Sequence, residues 1–163
     1  MKILIFLHGT VIMHKNGLGK TREQRVQQVI NNDPSLYDFI SYIPIGTSDR
    51  KLGIWKKQGA EIIYLSSNKN LEDIKKDMFI LKKYGFPKEQ ILFREGNLSY
   101  KDIAENIIPD ILIEDDCESI GGRIQMVYPN ISYSVKNKIK SIIVKEFSGI
   151  DNLPSDINEL RYL

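Results

Sequence analysis

Ile3-Leu4-Ile5-Phe6-Leu7-His8-Gly9-Thr10 decides how this chain is read. Its apolar part runs without polar alternation, which suits a strand covered on both faces, as in a parallel sheet flanked by helices. The run stops at a histidine and a glycine, so the end of the strand is also where chemistry enters. Phe6 and His8 are two residues apart, which predicts side chains on one side of the strand with Leu7 opposite. Gly9 lets the backbone turn sharply beside a ligand, and Thr10 offers a hydroxyl and an amide.

Further apolar runs of the same kind follow at 62–65, 91–93, 111–113 and 142–144, and the segments between them read as helices. Over 71–84, Leu71, Ile74, Met78, Leu81 and Tyr84 recur at helical spacing and predict one apolar stripe packed on the sheet, with Gly85 and Pro87 as the stop. Ser48 is expected to cap a helix carrying Leu52 and Trp55 that ends at Gly59. Ser99 is expected to cap another that runs up to Pro109. Strand and helix alternate, which predicts an α/β fold: a doubly wound, mainly parallel five-stranded sheet binding ligands beyond the carboxyl ends of its strands.

About 30 residues separate the first strand from the helix at Ser48, longer than an ordinary βα connection. The expectation is a small helical cap insertion at about 13–45 within a single domain spanning 1–163. Thr21 and Gln24 form a capping-box pattern, Val26, Val29 and Ile30 an apolar face, Asp33-Pro34-Ser35 a turn, and 36–42 a second short helix. Such an insertion overhangs the carboxyl edge of the sheet. The alternative is a surface hairpin without a role.

The chain has 163 residues, 42% apolar and 27% charged, with a formal net charge of +2, so composition gives no reason to expect a nucleic-acid or membrane partner. The single cysteine, Cys117, excludes an intrachain disulfide and cysteine-rich metal sites and fits a reducing compartment. The first apolar run is too short for a bilayer span, is interrupted by His8, and has no small-residue cleavage site after it. A buried strand and a cytoplasmic protein are expected.

Ser66 and Ser67 directly follow the second strand and bring hydroxyls to the same sheet edge. Asp115 and Asp116 follow the fourth, between Glu114 and Glu118, and adjacent carboxylates of this kind suit Mg²⁺ or another divalent cation. Lys101 begins the helix before that strand. This order resembles the haloacid dehalogenase superfamily of phosphohydrolases over nearly the whole chain. The resemblance rests on Phe6-Leu7-His8-Gly9-Thr10, Tyr64-Leu65-Ser66-Ser67, Tyr100-Lys101-Asp102-Ile103 and Asp110-Ile111-Leu112-Ile113-Glu114-Asp115-Asp116. It implies phosphate contacts from Gly9, Thr10, Ser66, Ser67 and Lys101, a cation on Asp115 and Asp116, and a phosphorylated small molecule or nucleotide as ligand.

One departure stands at the centre. The family's nucleophilic aspartate falls at Phe6 and its acid/base aspartate at His8. Hydrolysis of a phosphate monoester can need accelerations near ~10²¹-fold, whereas a serine-protease site stripped of its nucleophile keeps only ~10³–10⁴-fold. Three readings follow. The protein binds a phosphorylated ligand without turning it over; or it hydrolyses one by a non-standard route with His8 as base or nucleophile; or it is an inactive structural or interaction domain. Imidazole can serve as either base or nucleophile.

His14 matches no compact metal motif with His8 and is expected at the start of the insertion, partly exposed. Lys15, Lys20, Arg22 and Arg25 read as a solvated basic face, and Cys117, among carboxylates, as structural. The tail from 141 is expected to add a last strand and a short helix near Ser155, without chemistry.

Overall fold

The computed structural model describes all residues, 1–163. Five strands, β1 (Lys2–Phe6), β4 (Glu61–Leu65), β5 (Gln90–Leu92), β6 (Ile111–Asp115) and β7 (Lys140–Val144), form one sheet in the order β5-β4-β1-β6-β7, with β2 (Ile12–Met13) and β3 (Ile43–Pro44) forming a separate antiparallel ribbon. Every pairing in the large sheet is parallel. The chain winds outward from β1 to β5, returns to the other side of β1, and winds outward again. The order therefore reverses between β1 and β6, and a crevice at the carboxyl ends of these strands is where such sheets bind ligands.

The central strands are buried on both faces, which is why their sequences do not alternate. Ile3 and Ile5 join Ile62, Tyr64, Ile111 and Ile113 in one core. Leu4 joins Ile63, Leu65 and Leu112 in the other. Helices α2 (Ser48–Lys57) and α3 (Leu71–Lys83) cover the first face through Leu52, Trp55, Ile80 and Leu81, and α4 (Tyr100–Ile107) covers the second through Ile103 and Ala104. No helix is long and apolar enough to cross a membrane.

Local signals explain most boundaries. Ser99 and Asp102 form a capping box at the start of α4, and Tyr84 with Gly85 at φ +74° ends α3. Two expectations shift. Thr47, not Ser48, caps α2; the Ser48 hydroxyl donates to the Ile45 carbonyl at 2.6 Å. In α3, Leu71 and Met78 (56% exposed) face solvent, and the buried face is Ile74, Asp77, Ile80 and Leu81. A carboxylate thus occupies a core-facing position that the apolar pattern alone assigned to its neighbour.

Between β1 and α2 the chain forms the β2–β3 ribbon, α1 (Arg22–Ile30) with the Thr21–Gln24 capping box, and short 3₁₀ turns. The helix expected over 36–42 is instead two 3₁₀ turns, Pro34–Tyr37 and Phe39–Ser41. Asp38, at φ −89° and ψ 65°, breaks the run between them. At the far end, Glu159–Tyr162 is a single 3₁₀ turn where a helix near Ser155 was expected.

Arg22 and Arg25 do not form a solvated face. They reach from α1 to the chain after β7: Arg22 Nε donates to the Glu146 carbonyl at 3.0 Å, and Arg25 Nη1 to that of Phe147 at 3.0 Å. Together they fasten the insertion over the carboxyl edge of the sheet.

Candidate functional site

A cavity of about 620 Å³ opens at this edge. Its walls combine Phe6, His8 and Gly9 after β1, Ser67 and Asn68 after β4, Arg94 after β5, and Asp115 at the end of β6. The segment between β1 and α2 lines it as well, with Met13, His14, Leu36, Phe39 and Tyr42.

Three backbone hydrogen bonds shape the turn after β1: Gly9 N to Ile12 O at 2.9 Å, Val11 N to Leu7 O at 2.9 Å, and Phe147 N to Gly9 O at 2.7 Å. Gly9 sits at φ +81°, where an added Cβ would lie 3.0 Å from Asp115 Oδ2. The glycine is therefore required both by its backbone and by the carboxylate against it. Thr10 is fully buried and donates to that same oxygen at 2.8 Å, so its hydroxyl orients Asp115 and does not line the cavity.

The acidic cluster is Asp115, Asp116 and Glu146, each offering an oxygen within 4.8 Å of the others. Glu146, from the tail after β7, joins the two aspartates named from the sequence. Its oxygens accept from the amide and hydroxyl of Ser119, while its own amide donates to Asp116 Oδ1 at 3.0 Å. Burial raises the Asp115 and Glu146 carboxyls above their ordinary values, and neighbouring carboxylates add to the effect. Buried Glu114, which accepts from the Val127 and Tyr128 amides, is pushed up to about 7, again mainly by burial. Three convergent carboxylates, two of them buried, fit a hard divalent cation. The Arg22 guanidinium, which pairs with Asp116 and Glu118, supplies one positive charge from the insertion. Burial, with Asp115 and Glu114 next, pushes the Cys117 thiol well up, consistent with its reading as a structural residue.

His8 lies on the other side of the cavity. Phe6 and His8 share the cavity but not their partners, contrary to the strand geometry expected. β1 ends at Phe6, whose ring meets Tyr100 of α4 edge-on at 5.2 Å. The His8 ring instead turns toward α3 on the opposite face: Nε2 lies 3.0 Å from Asp77 Oδ1, and Nδ1 lies 2.6 Å from the Ser67 hydroxyl. Tyr42 packs edge-on against the imidazole at 5.2 Å, and Phe39 lies tilted to it at 5.7 Å.

Asp77 is 1% exposed and also accepts from Ser66 Oγ at 2.6 Å and from Asn68 Nδ2. Ser66 is therefore buried against Asp77 and absent from the cavity wall, whereas Ser67 is exposed within it.

Lys101 is not brought to the cavity. Its ammonium lies on the surface of α4, 3.8 Å from Glu105. The basic group at the wall is Arg94, its guanidinium 4.4 Å above the Tyr100 ring and its Nε buried without an acceptor. Phe6, Tyr100 and Arg94 thus form a ladder that holds a cation at the cavity. His14, expected to be partly exposed, is 1% exposed, with Nδ1 2.8 Å from Ser35 Oγ and Nε2 unpartnered.

Asp77, Arg94 and Glu146 were missed in the sequence reading. Asp77 was detectable as a lone carboxylate at the spacing of an apolar stripe. Arg94 and Glu146 carry only the weaker signal of a charge just beyond a strand end.

No protein-family model and no curated protein matches the chain. Solved structures do. The class C acid phosphatase from Bacillus anthracis with tungstate bound is similar over 99% of this chain and 77% of its own, at 16% identity and TM-score 0.56. A further structure of that Bacillus anthracis enzyme aligns over 91% of this chain and 67% of its own, at 18% identity and TM-score 0.58. A chain of the Pnkp1/Rnl/Hen1 RNA repair complex aligns over 88% of this chain but 43% of its own, at 15% identity and TM-score 0.52. The chain shares with these structures an α/β fold built on a five-stranded parallel sheet. At these identities the likeness concerns the fold alone.

Proposed function

We propose that the cavity receives the phosphoryl end of a small phosphorylated molecule and that the protein belongs functionally among phosphoester hydrolase-like proteins. Arg94 carries this reading: a guanidinium at the wall with a buried Nε that lacks an acceptor is suited to phosphate oxygens. Ser67 and the turn at Gly9 bound the same space, and Phe39 and Tyr42 add apolar wall to it. Asp115, Asp116 and Glu146 would hold a divalent cation, Mg²⁺ by donor type, which when bound would neutralise charge on the phosphoryl group. Phe6, where the resemblance expects the nucleophilic aspartate, can neither attack phosphorus nor ligate a cation.

Binding is therefore the core of the reading. Catalysis is the second reading, and one observation favours it: His8 is held by Ser67 on one side and Asp77 on the other, an arrangement suited to moving a proton.

The test is calorimetric titration with inorganic phosphate and a panel of phosphomonoesters, with Mg²⁺, with Mn²⁺ and with chelator. Saturable binding is expected, weakened roughly 10–100-fold by Arg94→Ala, as the loss of a charged hydrogen bond implies. Asp115→Asn should abolish its cation dependence. If nothing phosphorylated binds the wild-type protein under any of these conditions, the reading fails.

A further inference from the structure

We propose that Ser67 is a nucleophile, that His8 is its general base, and that Asp77 is the positioning residue that holds the imidazole ready. This rests on the phosphoryl-site reading above and deepens it by naming the group that attacks.

Hydrogen-bond accounting fixes the proton on one ring nitrogen of His8. Asp77 receives Ser66 Oγ–H and the Asn68 amide, and its remaining partner is His8 Nε2. A carboxylate accepts only, so Nε2 carries the hydrogen and donates it. In the neutral imidazole Nδ1 then turns its lone pair toward the Ser67 hydroxyl at 2.6 Å, in the sense a general base requires. The two ring nitrogens exchange the roles they have in serine proteases, but the order of nucleophile, base and orienting carboxylate is the same.

Burial divides the roles in the same way. Ser67 is exposed in the cavity, His8 is largely covered by Phe39 and Tyr42, and Asp77 is 1% exposed. Both ring nitrogens are engaged, which argues against His8 as the attacking atom itself.

The step balances without a co-reactant. Ser67 Oγ attacks phosphorus while its proton passes to His8 Nδ1, the bond from phosphorus to the ester oxygen breaks, and the departing oxygen takes the proton back from Nδ1 as an alcohol leaves. Water then attacks the seryl phosphate and gives a proton to Nδ1. The phosphorus–Oγ bond breaks, Ser67 regains the proton, and inorganic phosphate leaves. Arg94 faces the phosphoryl oxygens throughout.

The experiment uses the full chain with p-nitrophenyl phosphate as substrate and a fluorophosphonate as covalent reagent, followed by acid quench and peptide mass spectrometry. The expected result is an acid-stable phosphoryl group on Ser67 and fluorophosphonate on the same side chain. Both should vanish in Ser67→Ala, and His8→Ala should slow labelling roughly 10²–10⁴-fold. Asp77→Asn should slow labelling up to about 10⁴-fold while phosphate affinity stays within a few-fold. A merely structural Asp77 would lose affinity and labelling together. Because Asp77 is buried and its variant can misfold, Ser67→Cys gives an independent readout: alkylation of the new thiol should be fast and should depend on His8.

Acid-labile phosphate on His8, or labelling unaffected by His8→Ala, overturns the assignment. Phosphate bound with normal affinity but no covalent adduct at Ser67 overturns it too, and leaves the phosphoryl-site reading standing. Fluorophosphonate on Ser67 without any phosphate binding has the opposite meaning: the nucleophile stands and the phosphoryl reading falls.

Discussion

At the scale of single residues, Gly9 and His14 carry the sharpest expectations. Gly9→Ala places a Cβ at φ +81° and 3.0 Å from Asp115 Oδ2, so it should cost about 1–3 kcal/mol and displace the carboxylate. Urea unfolding would measure the first effect and loss of cation affinity the second. His14 is governed by a proton balance. Ser35 Oγ donates to Asp33 Oδ1 at 2.7 Å, so His14 Nδ1 must donate to Ser35, and the buried Nε2 stays unprotonated. Burial, the largest cause, lowers its pKa below 6.5. As pH falls through 6.5 the unfolded chain takes up a proton that the folded chain refuses, so stability is fully present above 6.5 and declines below it. His14→Asn, which keeps a donor near the Nδ1 position, should flatten that decline in unfolding curves recorded on either side of pH 6.5.

At the scale of elements, the caps are the testable parts. Ser99 accepts from the Asp102 amide and donates to its carboxylate, so Ser99→Ala should destabilise the protein by roughly 1 kcal/mol, seen as a lower urea midpoint. Such signals are local in sequence, which is why the strands, α3, α4 and the Thr21 capping box are legible in the sequence alone. The 36–42 stretch was not, because its apolar residues are consistent with helix while the backbone at Asp38 breaks it. The site was legible in part for the same reason. Gly9, Ser67, Asp115 and Asp116 lie at or just beyond strand ends, on the edge where such sheets bind ligands. Whether a hydroxyl faces the cavity, as Ser67 does, or the interior, as Ser66 does, depends on partners far away in sequence. Asp77 illustrates the limit: it breaks an apolar stripe, and only the fold reveals that His8 is opposite.

At the scale of the whole molecule, Arg22 and Arg25 join the insertion to the far end of the sheet. Arg22→Ala should lower stability by about 1.5–3 kcal/mol, the worth of hydrogen bonds to charged groups, while Arg22→Lys should restore part of that by keeping the charge. Thermal unfolding of the three proteins would rank them, and a wild-type melting temperature in Arg22→Ala would show that the fastening contributes nothing. The position of β1 between β4 and β6 has a consequence for biosynthesis. Residue 3 waits for residue 111 before its second edge is paired. At roughly 5–20 residues per second of translation, that interval is on the order of 10 s. Throughout it, the most apolar strand of the nascent chain offers an open edge to any neighbouring polypeptide. Ser67, His8 and Asp77 are all synthesised before β6 emerges, whereas the acidic cluster comes last. A ribosome-bound fragment therefore carries this edge unpaired until the second half of the sheet arrives.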